Sequence, residues 1–165
     1  MLSVALVSNA DPVRLETTLR ALVPATLEGQ VCDVKVFCDE PDAIEPLCDA
    51  MGADLAAKAT AGDVLTRCRG DWLLMLEEGA WPRGDWLTVV AAHAASGGGA
   101  ARFRTQEAVQ PFWRKLFGRA GSALRNGFLM PIDQARSALR NGTLEMLPVG
   151  RAVRTLRADL EPADA

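Results

Sequence analysis

The chain has 165 residues, 49% hydrophobic and 24% charged, with a mean hydropathy of +0.07, a composition that excludes a disordered chain and fits one domain with a substantial core. No apolar run approaches the roughly 20 residues of a membrane-spanning helix. The net charge of −3 is unevenly placed: residues 1–100 carry 7 Lys+Arg against 15 Asp+Glu, residues 101–157 carry 11 against 3, and the last eight residues add three more acids.

The opening stretch "MLSVALVSNADPV" has no basic segment before its apolar residues. It is expected to be a first core strand (2–7) and not a signal peptide, which makes a cytoplasmic protein the default expectation. Asp11 then reads as a helix N-cap with Pro12 at the first helical position. Leu15, Leu19, Leu22 and Val23 recur at helical spacing, and Pro24 is expected to end or kink that helix. "DVKVFC" (33–38) reads as a second strand. A helix over 41–52 should close at Gly52, and "ADLAA" (53–57) is a third strand. "DWLLMLE" (71–77) is the strongest strand in the chain. A helix capped by Asp85 follows, broken by Gly97 to Gly99, and "AARFR" (100–104) is the next strand.

Strands alternating with helices predict an α/β fold: a mainly parallel layered sheet flanked by helices. Continuous apolar strands such as "WLLML" suit a sheet covered on both faces. Ligands of such sheets sit at the carboxyl ends of the strands. Those ends here read "VSNAD", "CDEPD" and "EEGA", each carrying polar or acidic groups.

Beyond residue 105 the pattern is less regular. Residues 111–124 predict a basic amphipathic helix, with Phe112, Leu116, Phe117, Ala120 and Leu124 on one face and Arg114, Lys115 and Arg119 off it. A short strand, "GFLMPID", leads to Asp133, expected to cap the helix "QARSALR". The last eight residues, 158–165, are expected to form a flexible tail. The opposite charges of the two halves either attract each other within one domain or present a basic surface to an anionic partner. Nucleic acid ranks last among such partners, since no recognition motif accompanies the arginines.

Cys32, Cys38, Cys48 and Cys68 contain no C-x-x-C pair, and His93 is the single histidine, so a zinc site is not expected. Small buried thiols are the better reading. His93 shares a helical face with Trp86, Val89 and Val90 and reads as a packed histidine.

Taken together, "LSVALVSNADPVRLETTLRALVPATLEGQVCDVKVF", "CDEPD", "LCDAMGADLAA" and "RGDWLLMLEEGAWPRGDW" resemble family 2 glycosyltransferases of the A-type fold, in a bacterial subgroup. The resemblance is good over 2–104 and faint over 105–157. It implies a single domain over 1–157, with a nucleotide-sugar-binding half (1–104) and a basic acceptor-side half (105–157). It further implies transfer of a sugar from a nucleotide-diphosphate donor to an acceptor, aided by Mn²⁺ or Mg²⁺. Because family members commonly act on lipid-linked acceptors, it also implies a membrane-surface contact through helix 111–124, peripheral at the inner membrane.

Carried over residue by residue, the resemblance places Ser8 and Asp11 in the first nucleoside loop and Asp39 in the second. Cys38 stands where the family has its acid, one residue earlier. Glu77 takes the first place of the family's D-x-D motif, as a donor-binding and metal-binding residue. Glu78 takes the middle place, and Gly79 replaces the second acid. Trp81 is placed to stack on a ligand. The donor loop is cut to "KATAGDVLTRC", and the acidic pair of the acceptor half has no counterpart, leaving the catalytic base unassigned. Against the ligand reading stands a plainer one, in which Glu77 and Glu78 are solvated acids closing a strand. Two functions therefore remain open: a transferase with a weakened metal corner, and a non-catalytic relative that keeps the fold for binding or assembly.

Overall fold

The computed structural model describes residues 1–105, 124, 127–139 and 153–161. Its elements run β1 (Leu2–Val7), α1 (Pro12–Leu27), β2 (Val31–Phe37), α2 (Glu45–Met51), β3 (Asp54–Ala56), α3 (Ala61–Thr66), β4 (Trp72–Glu77), β5 (Trp81–Pro82), α4 (Trp86–Ala95), β6 (Ala101–Thr105), β7 (Phe128–Pro131), α5 (Ile132–Leu139) and β8 (Arg154–Glu161). The strands form one eight-stranded sheet in the order β3-β2-β1-β4-β7-β6-β8-β5. The run β3-β2-β1-β4 is wholly parallel. Beyond it, β7 is antiparallel to both β4 and β6, β8 is parallel to β6, and β5 is antiparallel to β8. The sheet is therefore mixed, with its parallel part in the half that the sequence reads clearly.

Helices cover both faces, which explains why β1 is buried at every residue. On one face Val4, Leu6, Leu74 and Leu76 pack with Leu15, Leu19 and Leu22 of α1, Cys48 of α2, and Trp86 and Val90 of α4. On the other, Ala5, Val7, Leu73 and Met75 pack with Ala61 and Leu65 of α3 and Ala135 of α5. Alternation of side chains along each strand sorts these two sets. Leu124, from the expected basic helix, joins the second set; the rest of 111–124, with Arg114, Lys115 and Arg119, lies outside the described residues.

Local chemistry sets the helix ends. Asp11 caps α1 as expected, its Oδ1 accepting from the amides of Val13 (3.0 Å) and Arg14 (3.2 Å). Gly52 closes α2 with a left-handed φ of +68°. Pro24 does not end α1, which continues to Leu27; at this exposed position the missing amide costs one hydrogen bond and the last turn still forms. Asp85 stands before α4, but its side chain makes no capping bond. Asp133 is not a cap either: α5 starts one residue earlier, at Ile132, and Asp133 is an exposed acid of its first turn, paired with Arg136 at 3.1 Å.

Residues 158–161, expected in the frayed tail, end strand β8, where Leu156, Ala158 and Leu160 are buried. His93 is buried as expected, its Nε2 2.8 Å from the Gly99 carbonyl and its ring edge-on to Trp72 with centroids 5.6 Å apart. Cys38, Cys48 and Cys68 are buried free thiols, and Cys32 is half-buried. Among the described residues no helix is long and apolar enough to cross a membrane.

Candidate functional site

The strand order reverses direction at β1: β2 and β3 lie to one side, β4 to the other. A crevice opens outside the carboxyl ends of strands at such a switch point. Val7, the last residue of β1, pairs with Glu77, the last residue of β4, so the loops after both strands start side by side. This register brings Ser8 and Asp11 against Glu78, although they are about seventy positions away in sequence.

Glu78 is 4% exposed. The Ser8 hydroxyl donates to its Oε2 at 2.5 Å, and the Asp11 amide approaches the same oxygen at 3.4 Å. Ser8 Oγ in turn accepts from the Ala10 amide at 3.0 Å. Ala10 has a left-handed φ of +68°, a conformation that a residue with a Cβ adopts at a cost. The backbone completes the joint: the Glu78 amide donates to the Val7 carbonyl at 3.0 Å and the Gly79 amide to the Arg14 carbonyl at 2.9 Å. Glu78 thus faces inward and ties the β4 loop to the β1–α1 loop. A buried carboxylate needs such donors to be tolerated.

Glu77 is half-buried, and no hydrogen bond or ion pair of its carboxylate is present among the described residues. Gly79, at the second D-x-D place, has φ +85°, which a residue with a side chain rarely adopts. Asp39 lies in the loop after β2, 60% exposed; its Oδ1 accepts from the Lys58 amide at 3.1 Å, and the Lys58 ammonium stands 3.9 Å away. Lys58 opens a single 3₁₀ turn (Lys58–Thr60) that leads into α3, so the segment expected as a trimmed loop is largely helical. Trp81 is half-buried in β5, paired with Glu161 of β8. The Arg83 guanidinium sits over its ring at 5.0 Å while also bonding Glu161, so one face of the ring is already taken.

Of the expected residues, Ser8, Asp11, Glu77 and Glu78 meet at one corner. Asp39 is fixed by the loop after β3, and Trp81 by the far edge of the sheet. Alternation along an extended segment already turns Glu78 away from Glu77; its partner Ser8 and the position of Lys58 escape the sequence reading, and the parallel register of β1 with β4 is the signal that reveals the first.

Divalent metal is implied by the resemblance, and the described residues of the corner do not fit a resident cation. Among the described residues, no three His, Cys, Asp or Glu side chains come together to hold one. Among the described residues of the corner, Glu78 is engaged internally, Gly79 offers no side chain and Asp11 spends one oxygen on capping α1, which leaves Glu77 and the other Asp11 oxygen, short of a ligand set. A dication bound through one carboxylate draws most of its oxygens from substrate and water.

The fold is that of A-type nucleotide-sugar transferases. Glucosyl-3-phosphoglycerate synthase from Mycobacterium tuberculosis, in complex with Mn²⁺, UDP and glucosyl-3-phosphoglycerate, superposes with a TM-score of 0.60 at 14% identity, over 81% of this chain and 57% of that one. The same enzyme with Mg²⁺ and UDP gives 0.59 at 16% identity, and with Mn²⁺ and UDP-glucose 0.60 at 14%, with the same coverage. The chain thus spans a little over half the length of these structures. No protein-family model and no curated protein matches the sequence.

Proposed function

We propose that the protein is a glycosyltransferase-like nucleotide-sugar-binding protein. The donor lies across the carboxyl ends of β1, β2 and β4, and its sugar faces an acceptor on the side of the basic half. The observation that carries this reading is the convergence of Ser8, Asp11, Glu77 and Glu78 at the switch point of a nucleotide-sugar transferase fold. The similar structures hold UDP or UDP-glucose, which makes a uridine diphosphate sugar the first donor to test. Glu77, whose carboxylate has no partner among the described residues, is the group aimed at the donor. Asp39, with Lys58 beside it, flanks the nucleoside. Membrane-surface contact through the basic segment 111–124, expected from its sequence, belongs to this proposal, with a lipid-linked acceptor.

A second reading is favoured by one specific observation. The inward-turned Glu78, with a glycine where a second acid would stand, suits a non-catalytic relative that binds the donor without transferring its sugar. A thermal-shift screen of nucleotide sugars, with and without Mn²⁺, tests binding. Ligand at one hundred times its dissociation constant should add about 2.7 kcal/mol. Following free UDP from UDP-glucose then separates the readings: turnover supports the transferase, and binding without turnover supports the non-catalytic protein. No stabilisation by any nucleotide sugar would overturn both.

A further inference from the structure

The Glu78 joint has a geometry that a passive, solvated acid does not need. One carboxylate oxygen serves two donors from a different loop, the Ser8 hydroxyl and the Asp11 amide. Through Ser8 Oγ it also steadies the Ala10 amide, at the one described non-glycine residue with positive φ. Asp11 then caps α1. One buried carboxylate oxygen thus joins the Phe37 carbonyl, which holds the Ser8 amide, and the Asp11 cap in ordering the turn from the end of β1 to the first turn of α1. Here the acid reaches across by itself, and the bridge is a hydrogen bond.

We propose that Glu78 is a positioning residue that orders the β1–α1 loop through hydrogen bonds alone, so that this corner is set, and meets its ligand, without Mn²⁺ or Mg²⁺. The part about the ligand rests on the nucleotide-sugar reading; the part about the loop stands without it. With no cation, phosphate charge falls to the chain's own donors, and Lys58 stands at this edge of the sheet. The carboxylate is not needed as a charge for the joint itself. Glutamine offers one amide oxygen that can accept both bonds, so Glu78→Gln should preserve the loop and Glu78→Ala should not.

The test uses the intact chain. Amide hydrogen exchange is compared for the parent, Glu78→Ala and Glu78→Gln. Ala10 and Asp11 should exchange about tenfold faster or more in the alanine variant and stay within about threefold of the parent in the glutamine variant. Exchange unchanged in Glu78→Ala overturns the positioning role. Exchange accelerated equally across β1, β4 and α1 also overturns it, because that is global destabilisation. Paramagnetic broadening by Mn²⁺ alone is the second readout. The amides of Ser8, Asp11, Glu77 and Gly79 should remain sharp at millimolar metal. Selective broadening of these four at micromolar Mn²⁺ shows an intact cation site and overturns the proposal. UDP-glucose titrated in EDTA and in Mn²⁺ should give affinities within about threefold, and an affinity at least tenfold tighter with Mn²⁺ overturns cation independence. Absence of UDP-glucose binding in both buffers counts against the nucleotide-sugar reading, while the exchange and broadening results still decide the role of Glu78.

Discussion

Asp11 and Glu78 are both acids of one corner, yet only the first is legible as a local device. An Asp before a Pro before a helical repeat predicts a cap from four consecutive residues, and the cap is there. Glu78 depends on which strand lies beside β4, which no local pattern states; its neighbour Glu77 has the same chemistry and the opposite situation. Cys68 offers a titration that only burial makes possible. Its thiol is pushed up from the ordinary 9.0 to about 11, first by burial and then by the Asp33 carboxylate, against smaller opposing effects of Lys35, the Ser3 hydroxyl and Arg136. The raised folded value means that this contribution to stability is fully present below about pH 9 and is lost as pH rises towards 11. Urea unfolding across that window should therefore show a falling limb that Cys68→Ala flattens, and iodoacetamide at pH 8 should label native Cys68 far more slowly than the unfolded chain, because the thiolate is the nucleophile. An unchanged alkaline limb in the variant, or rapid native labelling, would contradict this account.

Elements that bury one continuous face announce themselves; those that complete a sheet from outside do not. β1, β2 and β4 lie within a residue or two of their expected bounds because their apolar runs are contiguous. β5 is two residues long and contains Pro82, too short for any periodic signal. β8 does alternate, with Leu156, Ala158 and Leu160 buried, but its acidic end reads equally well as a solvated tail until β6 and β5 are placed on either side. The pairing of α3 with α5 is likewise invisible locally. Arg136 of α5 donates from Nε to the Leu65 carbonyl at 3.2 Å, which also accepts from the Cys68 amide at 3.3 Å, and from Nη2 to the Cys68 carbonyl at 2.9 Å, so one guanidinium holds the turn that follows α3. Arg136→Ala should cost about 1–3 kcal/mol in chemical denaturation. Arg136→Lys should recover little of that loss, because an ammonium cannot reproduce the planar fork. A cost below about 0.5 kcal/mol for the alanine variant would mean that water replaces the guanidinium freely.

At the scale of the molecule, the first hundred residues build the parallel half-sheet, and the remainder returns to close the sheet against β4. The fold class was readable because alternating strand and helix patterns constrain topology strongly. The state of the site was not, because the same letters, Glu-Glu-Gly, serve a metal ligand set or an internal joint depending on where Ser8 lies. The central claim is that the carboxyl edge of β1, β2 and β4 receives a nucleotide sugar. The most direct measurement is two-dimensional amide NMR of the isotope-labelled chain titrated with UDP-glucose. The account predicts saturable shifts concentrated at Ser8, Asp11, Asp39, Lys58, Glu77 and Gly79, with Trp72 and Met130, away from that edge, unmoved. Shifts confined to other surfaces, or no shifts with millimolar UDP-glucose, would contradict it.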